Sequence, residues 1–430
     1  MVFYTRRIRT LYVDTKDINL DLVFGFLDRL NKLSPFPSLR KLVLSEDLED
    51  SGHGLFLFPI SAPNLEALEL YEGTLPEISA ATFLSTLSSE SPNLKSILIE
   101  PGHIWTNAVF DVLPCFRKLQ QLNVQDMACK NPIRFLKNCA SCMTSLRSLK
   151  IHLASFLLTD DFGQPVSSKT LRTLGLITFG LLSDLSLTGN FLDVKNMLNI
   201  LLVPKLDNLD LAFQASSWHD DFITDIGPFM EGFLTSNGQH LKDGLRTLSL
   251  QIGSTELNIE GSLNCFKAFT ELDSLHLEAS GFHISTSSLA NFLHEHIIWS
   301  NLTSLSLSNG NDISPSDDKL SIAALPLLAD TFPKLLHLRI AISNPDQAVM
   351  KTVAADPVLR HHSLETLRFL NLPRDWVYST SSAVAFASFL HQVFPELEMV
   401  GCPRWYEWMR NVQEMLKKEQ SANVHHPPSD

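Results

Sequence analysis

A short phrase of the form L-x-x-L-x-L recurs along the chain, and no other feature restricts the fold as strongly. It reads Leu39-Leu42-Leu44, Leu65-Leu68-Leu70, Leu94-Ile97-Ile99, Leu119-Leu122-Val124, Leu146-Leu149-Ile151, Leu171-Leu174-Leu176 and Leu206-Leu209-Leu211. It continues as Leu245-Leu248-Leu250, Leu272-Leu275-Leu277, Leu302-Leu305-Leu307, Leu335-Leu338-Ile340 and Leu364-Leu367-Phe369. Weaker copies, Ile8-Leu11-Val13 and Leu397-Val400-Cys402, stand at the two ends of the series. The fourteen copies have a mean period of about 30 residues. They account for the excess of leucine, 73 residues in a chain of 430. Length alone would suggest two or three domains, whereas the repetition implies one structural unit used many times. A further phrase, Leu182-Leu185-Leu187, starts 11 residues after Leu171, so repeat seven is open between 171–176 and 182–187.

The fourth and sixth positions of the phrase alternate like the inward face of a strand. Between phrases lie amphipathic stretches with helical spacing: Asp21 to Leu33, Ala80 to Leu87, Val194 to Leu202, Ser287 to Ile298 and Ser382 to Val393. One parallel strand can follow another only after a crossover of a dozen or more residues, usually a helix. The period supplies that crossover. Pro often precedes the phrase (Pro37, Pro63, Pro92) and ends the helix, because it cannot continue one and biases its predecessor away from the α region. The expected fold class is therefore α/β: a leucine-rich-repeat solenoid, an arc with a parallel inner sheet and outer helices. Fourteen strands at the usual spacing give an inner arc of about 60 Å.

The phrases "FPSLRKLVL", "APNLEALEL" and "SPNLKSILI" resemble the irregular repeats of leucine-rich-repeat proteins of the strand–helix, ribonuclease-inhibitor-like type, and in particular the repeat region of fungal F-box proteins. The resemblance implies a substrate-recognition domain that delivers targets to a cullin-based ubiquitin ligase. The chain departs from the family in two ways. Family repeats often place Asn or Cys two residues after the strand as a side-chain ladder; here that position holds Gly73, Gly102, Met127, Ala154, Phe179, Gln214, Gly253, Ser280 and Gly310. The turns must satisfy their backbone in another way, with irregular curvature expected. The helical F-box module is not expected within this chain, since a first strand near Arg6 leaves no room for it, so a ligase adaptor is expected to bind only if an F-box is encoded upstream, and adaptor binding is carried over to no residue.

The expected organisation is a solenoid over 1–403, a capping helix over 404–418 and a disordered tail over 419–430. End repeats of a solenoid expose core and need caps. Trp405, Tyr406, Trp408 and Met409 open the final helical stretch, either covering the last strand or forming an aromatic interaction patch. Ile8 and Leu11 lie in a strand with no comparable cap before it.

Composition narrows the function classes. Against 34 basic residues stand 47 acidic ones, a formal charge of −13, with no basic clustering of the kind nucleic acids require. Only 19% of residues are charged, which excludes wholesale disorder. Arg6, Arg7 and Arg9 are followed by no apolar signal segment, and no apolar run is long enough to span a bilayer. Six cysteines are too few for a disulfide framework, and reduced thiols point to cytoplasm or nucleus.

No catalytic motif emerges. Cys139-x-x-Cys142 lacks the second pair that zinc spacing demands and is read as structural thiols. His294 and His296 fall on different faces of a helix, while His361-His362 and Trp218-His219-Asp220-Asp221 lie in connecting segments without a deducible partner. There is no G-x-S-x-G and no G-x-x-x-x-G-K. No metal and no cofactor are expected, and a metal-dependent hydrolase built on the loop histidines is the remote alternative.

Function is expected on the concave sheet, from the third, fifth and seventh positions of each phrase. The N-terminal copies present Thr10, Tyr12, Asp14, Lys41, Val43, Ser45, Ala67, Glu69, Tyr71, Ser96, Leu98 and Glu100. The middle is neutral and small: Gln121, Asn123, Gln125, Thr173, Gly175, Asn208, Asp210, Ala212, Thr247, Ser249 and Gln251. The C-terminal copies present His276, Glu278, Ser304, Ser306, Ser308, His337, Arg339, Thr366 and Arg368. Two anchor sets follow. His276, His337, Arg339 and Arg368 suit an acidic or phosphorylated segment of a protein partner, against the alternative of scattered solvated charges on an open sheet. Tyr12, Glu69, Tyr71 and Glu100 form an aromatic, acidic set. The expected protein is a non-enzymatic scaffold, monomeric on its own, that binds protein and neither nucleic acid nor membrane. A free-standing leucine-rich-repeat regulator, of the inhibitor or GTPase-activator kind, is the other binding-protein reading.

Overall fold

A computed structural model describes residues 7–14, 36–45, 62–71, 77–100, 107–125, 132–153, 175–214, 233, 239–253, 266, 268–279, 286–294, 299–309, 320–342, 347–354, 362–370, 380–402 and 406–425. The chain divides into two compact units, Met1–Asp207 and Asn208–Asp430. Both are α/β, built of parallel leucine-rich-repeat strands and crossover helices.

In the first unit, strands β1 (Thr10–Asp14), β2 (Lys41–Ser45), β3 (Ala67–Leu70), β4 (Ser96–Ile99), β5 (Gln121–Val124), β6 (Ser148–His152) and β8 (Asp184–Gly189) pair in chain order, all parallel. The register is set by the phrase itself. Its fourth residues form one row, Leu42, Leu68, Ile97, Leu122, Leu149 and Leu185, and its sixth residues another, Leu44, Leu70, Ile99, Val124, Ile151 and Leu187. All of these are buried. A one-residue slip would turn both rows out to solvent, so repetition of the pattern fixes the pairing. The crossovers carry α1 (Glu77–Glu90), α2 (Asn107–Val112), α3 (Pro132–Cys142) and α4 (Phe191–Ile200). Asn190 caps α4, its Oδ1 accepting from Asp193 N at 2.8 Å while its amide donates back to the Asp193 carboxylate.

The open assignment of repeat seven is resolved in favour of 182–187. Leu185 and Leu187 are buried in β8, whereas Leu176 is 53% exposed and lies outside any strand. Residues Ile177–Thr178 (β7) instead pair with Leu201–Leu202 (β9) in a separate two-stranded ribbon. The close approach of β8 to its neighbour needs a glycine, because a Cβ on Gly189 would lie 2.9 Å from the Leu153 Cβ.

The second unit repeats the scheme. Strands β10 (Asn208–Phe213), β11 (Thr247–Ile252), β12 (Ser274–Ala279), β13 (Ser304–Asn309), β14 (His337–Ile340), β15 (Thr366–Phe369) and β16 (Met399–Gly401) are parallel neighbours in chain order. Helices α5 (Gln239–Gly244), α6 (Thr286–His294), α7 (Ala324–Thr331), α8 (Gln347–Ala354) and α9 (Thr380–Val393) lie in the crossovers. Phe386 of α9 packs on Phe369 of β15, with ring centroids 5.4 Å apart, which places the helical layer against the leucine face.

The prolines do more than end helices. Pro37, Pro63, Pro92, Pro204, Pro333 and Pro395 each occupy the second position of a turn whose fourth residue is the first leucine of the phrase. The turn is closed by that leucine's N–H on the carbonyl three residues back, as in Leu65 N to Ala62 O (2.9 Å) and Leu335 N to Phe332 O (3.0 Å). Proline's fixed φ suits this position. The first residue of each such turn (Phe36, Ala62, Ser91, Val203, Phe332, Phe394) is buried and extends the core beyond the strands.

Successive turns are cross-linked by side chains. Asn64 Nδ2 donates to Pro37 O (2.7 Å), Asn93 Nδ2 to Pro63 O (3.2 Å), Ser91 Oγ to Ala62 O (2.8 Å) and His362 Nε2 to Phe332 O (2.9 Å). The ladder that the sequence lacks after the strand is therefore built before it.

Helix α10 (Tyr406–His425) closes the second unit. Trp408, Met409, Val412 and Leu416 are buried, and Trp408 stacks on Phe386 at 5.8 Å; Trp405 lies outside the described residues. An edge strand presents unpaired backbone groups. Here Gln413 takes the place of a further strand, its Oε1 accepting from Val400 N (2.6 Å) and its Nε2 donating to Glu398 O (2.7 Å). The helix runs to His425, seven residues past Lys418. Gln420 explains part of that extension, because its amide donates to both Pro395 O and Leu397 O at 3.0 Å. No helix among the described residues is long and apolar enough to cross a membrane.

Two mutations probe this packing. Phe386→Ala should destabilise the second unit by about 3–5 kcal/mol, as for other buried aromatic truncations, while Val384→Ala, on the exposed side of the same helix, should stay within about 0.5 kcal/mol. Gln413→Leu should cost about 0.5–1.5 kcal/mol, chiefly by unpairing the part-buried Val400 N–H, since the exposed Glu398 carbonyl regains water. Urea denaturation followed by circular dichroism measures all three.

Candidate functional site

Strand alternation leaves the third, fifth and seventh phrase positions on the face opposite the leucines. In the second unit the fifth positions form the row Asp210, Ser249, His276, Ser306, Arg339, Arg368 and Gly401. The third positions form Asn208, Thr247, Ser274, Ser304, His337, Thr366 and Met399. Arg339 and Arg368 are thus direct neighbours on β14 and β15, about 4.8 Å apart along the hydrogen-bonding direction. Neither has an ion-pair partner among the described residues. Gly401 leaves the space beside Arg368 open: a Cβ there would lie 3.8 Å from the Arg368 Cγ.

The histidines are not equivalent. His337 occupies the next row and its Nδ1 shares a hydrogen bond with Thr366 Oγ1 at 2.9 Å. His276 lies in the arginine row with Ser306 between it and Arg339, but its Nε2 faces the Glu278 carboxylate of its own strand at 3.4 Å. Glu278 therefore competes with any incoming anion for His276. Of the four basic residues, His276 alone faces a carboxylate among the described residues, and Arg339 and Arg368 carry the two fixed positive charges.

Between His276 and Arg339, strand β13 carries Ser306 and Ser308. Both are buried, at 8% and 2% exposure, and neither Oγ has a hydrogen-bond partner among the described residues. An unpaired buried hydroxyl costs about 1–3 kcal/mol. These serines are small and neutral in the sequence, and nothing in the one-dimensional pattern marks their burial.

The first unit's face carries Lys41 and Lys150 beside its acidic and aromatic residues. Tyr12 is 67% exposed and lies in the row Tyr12, Val43, Glu69, Leu98, Asn123, Lys150 and Ser186. Glu69 and Tyr71 come together, Tyr71 Oη donating to Glu69 Oε2 at 3.2 Å. Lys41, one strand away, pairs with Glu69 Oε1 at 2.7 Å, so the carboxylate is neutralised locally. That hydrogen bond raises the Lys41 ammonium above its ordinary pKa, against an opposing effect of burial. Burial, followed by the Glu69 charge, raises the Tyr71 phenol. Glu100 is half-buried, and its backbone N–H donates to Leu70 O at 2.8 Å.

The same phrase rule, applied at Leu146-Leu149-Ile151, yields Ser148, Lys150 and His152, which belong to this face and which the sequence reading passed over. Asp184, Ser186 and Thr188 of β8 take the positions expected of Thr173 and Gly175. Gly175 lies in no strand and adopts a positive φ of 75°, and Thr173 is outside the described residues.

Cys139 is buried and Cys142 exposed on α3. His296, His361 and Trp218 to Asp221 fall outside the described residues. No group of three or more metal-ligating side chains occurs among those described.

No family model matches the chain, and no curated protein does. Among solved structures, it is similar to the chain in a crystal structure of a TLR13–ssRNA13 complex, with 18% identity over 85% of this chain and 44% of that one and a TM-score of 0.42. It is also similar to a chain in the yeast Rad7–Elc1 complex, at 15% identity, 87% and 89% coverage and a TM-score of 0.42. A third similarity is to a Bacteroides fragilis protein, at 14% identity, 80% and 71% coverage and a TM-score of 0.26.

The Lys41–Glu69–Tyr71 group gives a signed pH prediction. Both raised groups bind protons more tightly folded than unfolded, so their contribution is complete below the unfolded values of about 10 and is lost as pH rises through the folded ones. Replacing Glu69 by Gln should therefore flatten the fall in stability above about pH 10. Urea midpoints of wild type and E69Q across the alkaline range measure the difference; parallel curves would refute the coupling.

Proposed function

We propose that the chain is a non-enzymatic scaffold that holds a protein partner against the solvent-facing side of its parallel strands, anchored at β12–β15. One observation supports this above others: two arginines stand in register on adjacent strands without an acidic neighbour among the described residues, on a face that also carries Ser304, Ser306, Ser308 and Thr366. Like charges at this spacing repel, and an anionic segment of a partner relieves that repulsion while its backbone lies across the open row.

The finer reading, that of a substrate-recognition repeat domain in an F-box-type ubiquitin ligase, rests on the resemblance of the phrases "FPSLRKLVL" and "SPNLKSILI". The free-standing regulator has the same surface and differs only in company. Tyr12, Glu69, Tyr71 and Glu100 form a secondary contact region in either case, with Tyr12 as its exposed aromatic. The protein requires no metal or cofactor, and it works in the cytoplasm or nucleus.

Affinity capture from native cells with wild type and with an R339E/R368E double variant tests this reading. Capture of the specific partner should fall at least tenfold in the double variant, the scale of losing one well-placed interfacial charge pair, with unchanged circular dichroism. Undiminished capture would refute the anchoring role. Ligase subunits recovered with the wild type favour the receptor reading, and a single stoichiometric partner favours the regulator. Neither chelator nor Zn²⁺ should move the melting temperature.

A further inference from the structure

We infer that the β13–β15 face of the second unit is a binding site for a phosphate dianion, so that the segment it takes from a partner carries a phosphorylated side chain instead of a run of carboxylates. The inference rests on the reading of this face as a binding surface and specifies its ligand.

Charge balance comes first. Arg339 and Arg368 bring two fixed positive charges to adjacent positions, with no ion-pair partner among the described residues. A single carboxylate neutralises one of them; a phosphorylated residue, close to doubly charged near neutrality, neutralises both. Its three free oxygens also accept from two guanidinium forks at once, and arginine is the side chain suited to such contacts.

The second observation is independent of charge. Ser306 Oγ lies in the same row, beside Arg339, more than nine-tenths buried and unpaired, and Ser308 Oγ is in the same condition two residues further along β13. These hydroxyls are donors in want of an acceptor, and the remaining phosphate oxygen supplies one. The open space at Gly401 gives the Arg368 side chain room on the β16 side. On the other flank, Glu278 is in register with Ser308 and holds His276 at 3.4 Å, so the site is bounded by a carboxylate and does not extend over β12.

The experiment uses the full chain and inorganic phosphate as probe, at constant ionic strength and about pH 8, where the dianion dominates. Thermal denaturation should show a saturable rise, by about 3 °C at ten times the dissociation constant, with no such rise for acetate. R339Q and R368Q should each abolish it, S306A should weaken apparent affinity several-fold, and R368K, which keeps the charge but loses the fork, should retain part of the effect. These variants separate a site from the general stabilisation that phosphate gives all proteins. An equal rise in wild type and both glutamine variants, an equal rise with acetate, or a flat response in wild type overturns the inference. Should a glutamine variant be destabilised, S306A and R368K carry the decision by themselves, and a wild-type response in both overturns it. A flat phosphate response with partner capture still lost in R339E/R368E removes the phosphate site and leaves the scaffold standing; capture unaffected by that variant removes the scaffold reading with it.

Discussion

Everything in this molecule depends on equivalent leucines lying beside one another in adjacent parallel strands. Apart from the two-residue β7 and β9, each strand is only three to six residues long, too short to hold a place in a sheet by backbone hydrogen bonds alone. What holds it is that two apolar rows, typified by Leu209, Leu248, Leu275, Leu305, Leu338 and Leu367, close against the helices only when every phrase is in step. The proline turns put each strand at the same starting point. The Asn64, Asn93, Ser91 and His362 bonds then tie one turn to the previous one, so neighbouring repeats share their alignment.

Functional freedom follows from that arrangement. Since the leucine rows decide the pairing, the opposite face carries little structural duty and can hold groups that weaken the fold. Arg339 beside Arg368 and the unpaired Ser306 and Ser308 hydroxyls are such groups. The first unit spends the same freedom differently: Lys41, Glu69 and Tyr71 satisfy one another, and that patch is electrostatically settled. The contrast is what draws attention to the second unit as the place where a ligand would make the larger difference.

The strands were legible in the sequence because each carries its own signature, and the positions of Arg339, Arg368, His276 and His337 followed from counting. Legibility failed where two candidates competed over one repeat. Leu171-Leu174-Leu176 and Leu182-Leu185-Leu187 are equally good phrases, and only burial distinguishes the exposed Leu176 from the buried Leu187. It failed also for pairings across strands: Lys41 and Glu69 are far apart in the chain, and the burial of Ser306 and Ser308 depends on what surrounds them. The extension of α10 past Lys418 depended on Gln420, a polar residue whose partners are carbonyls of a distant turn. Composition marks such a residue as solvent-loving, whereas its geometry makes it a tether.

Gln413 has a similar double nature. A parallel sheet is in principle a polymer whose growing end is its last strand, able to add any extended segment that offers a matching edge. By occupying the Val400 N–H and the Glu398 carbonyl with one primary amide, the protein installs a chain terminator within its own sequence. The sheet is thereby given a finite degree of polymerisation at that end, and a single side chain separates a closed edge from a reactive terminus.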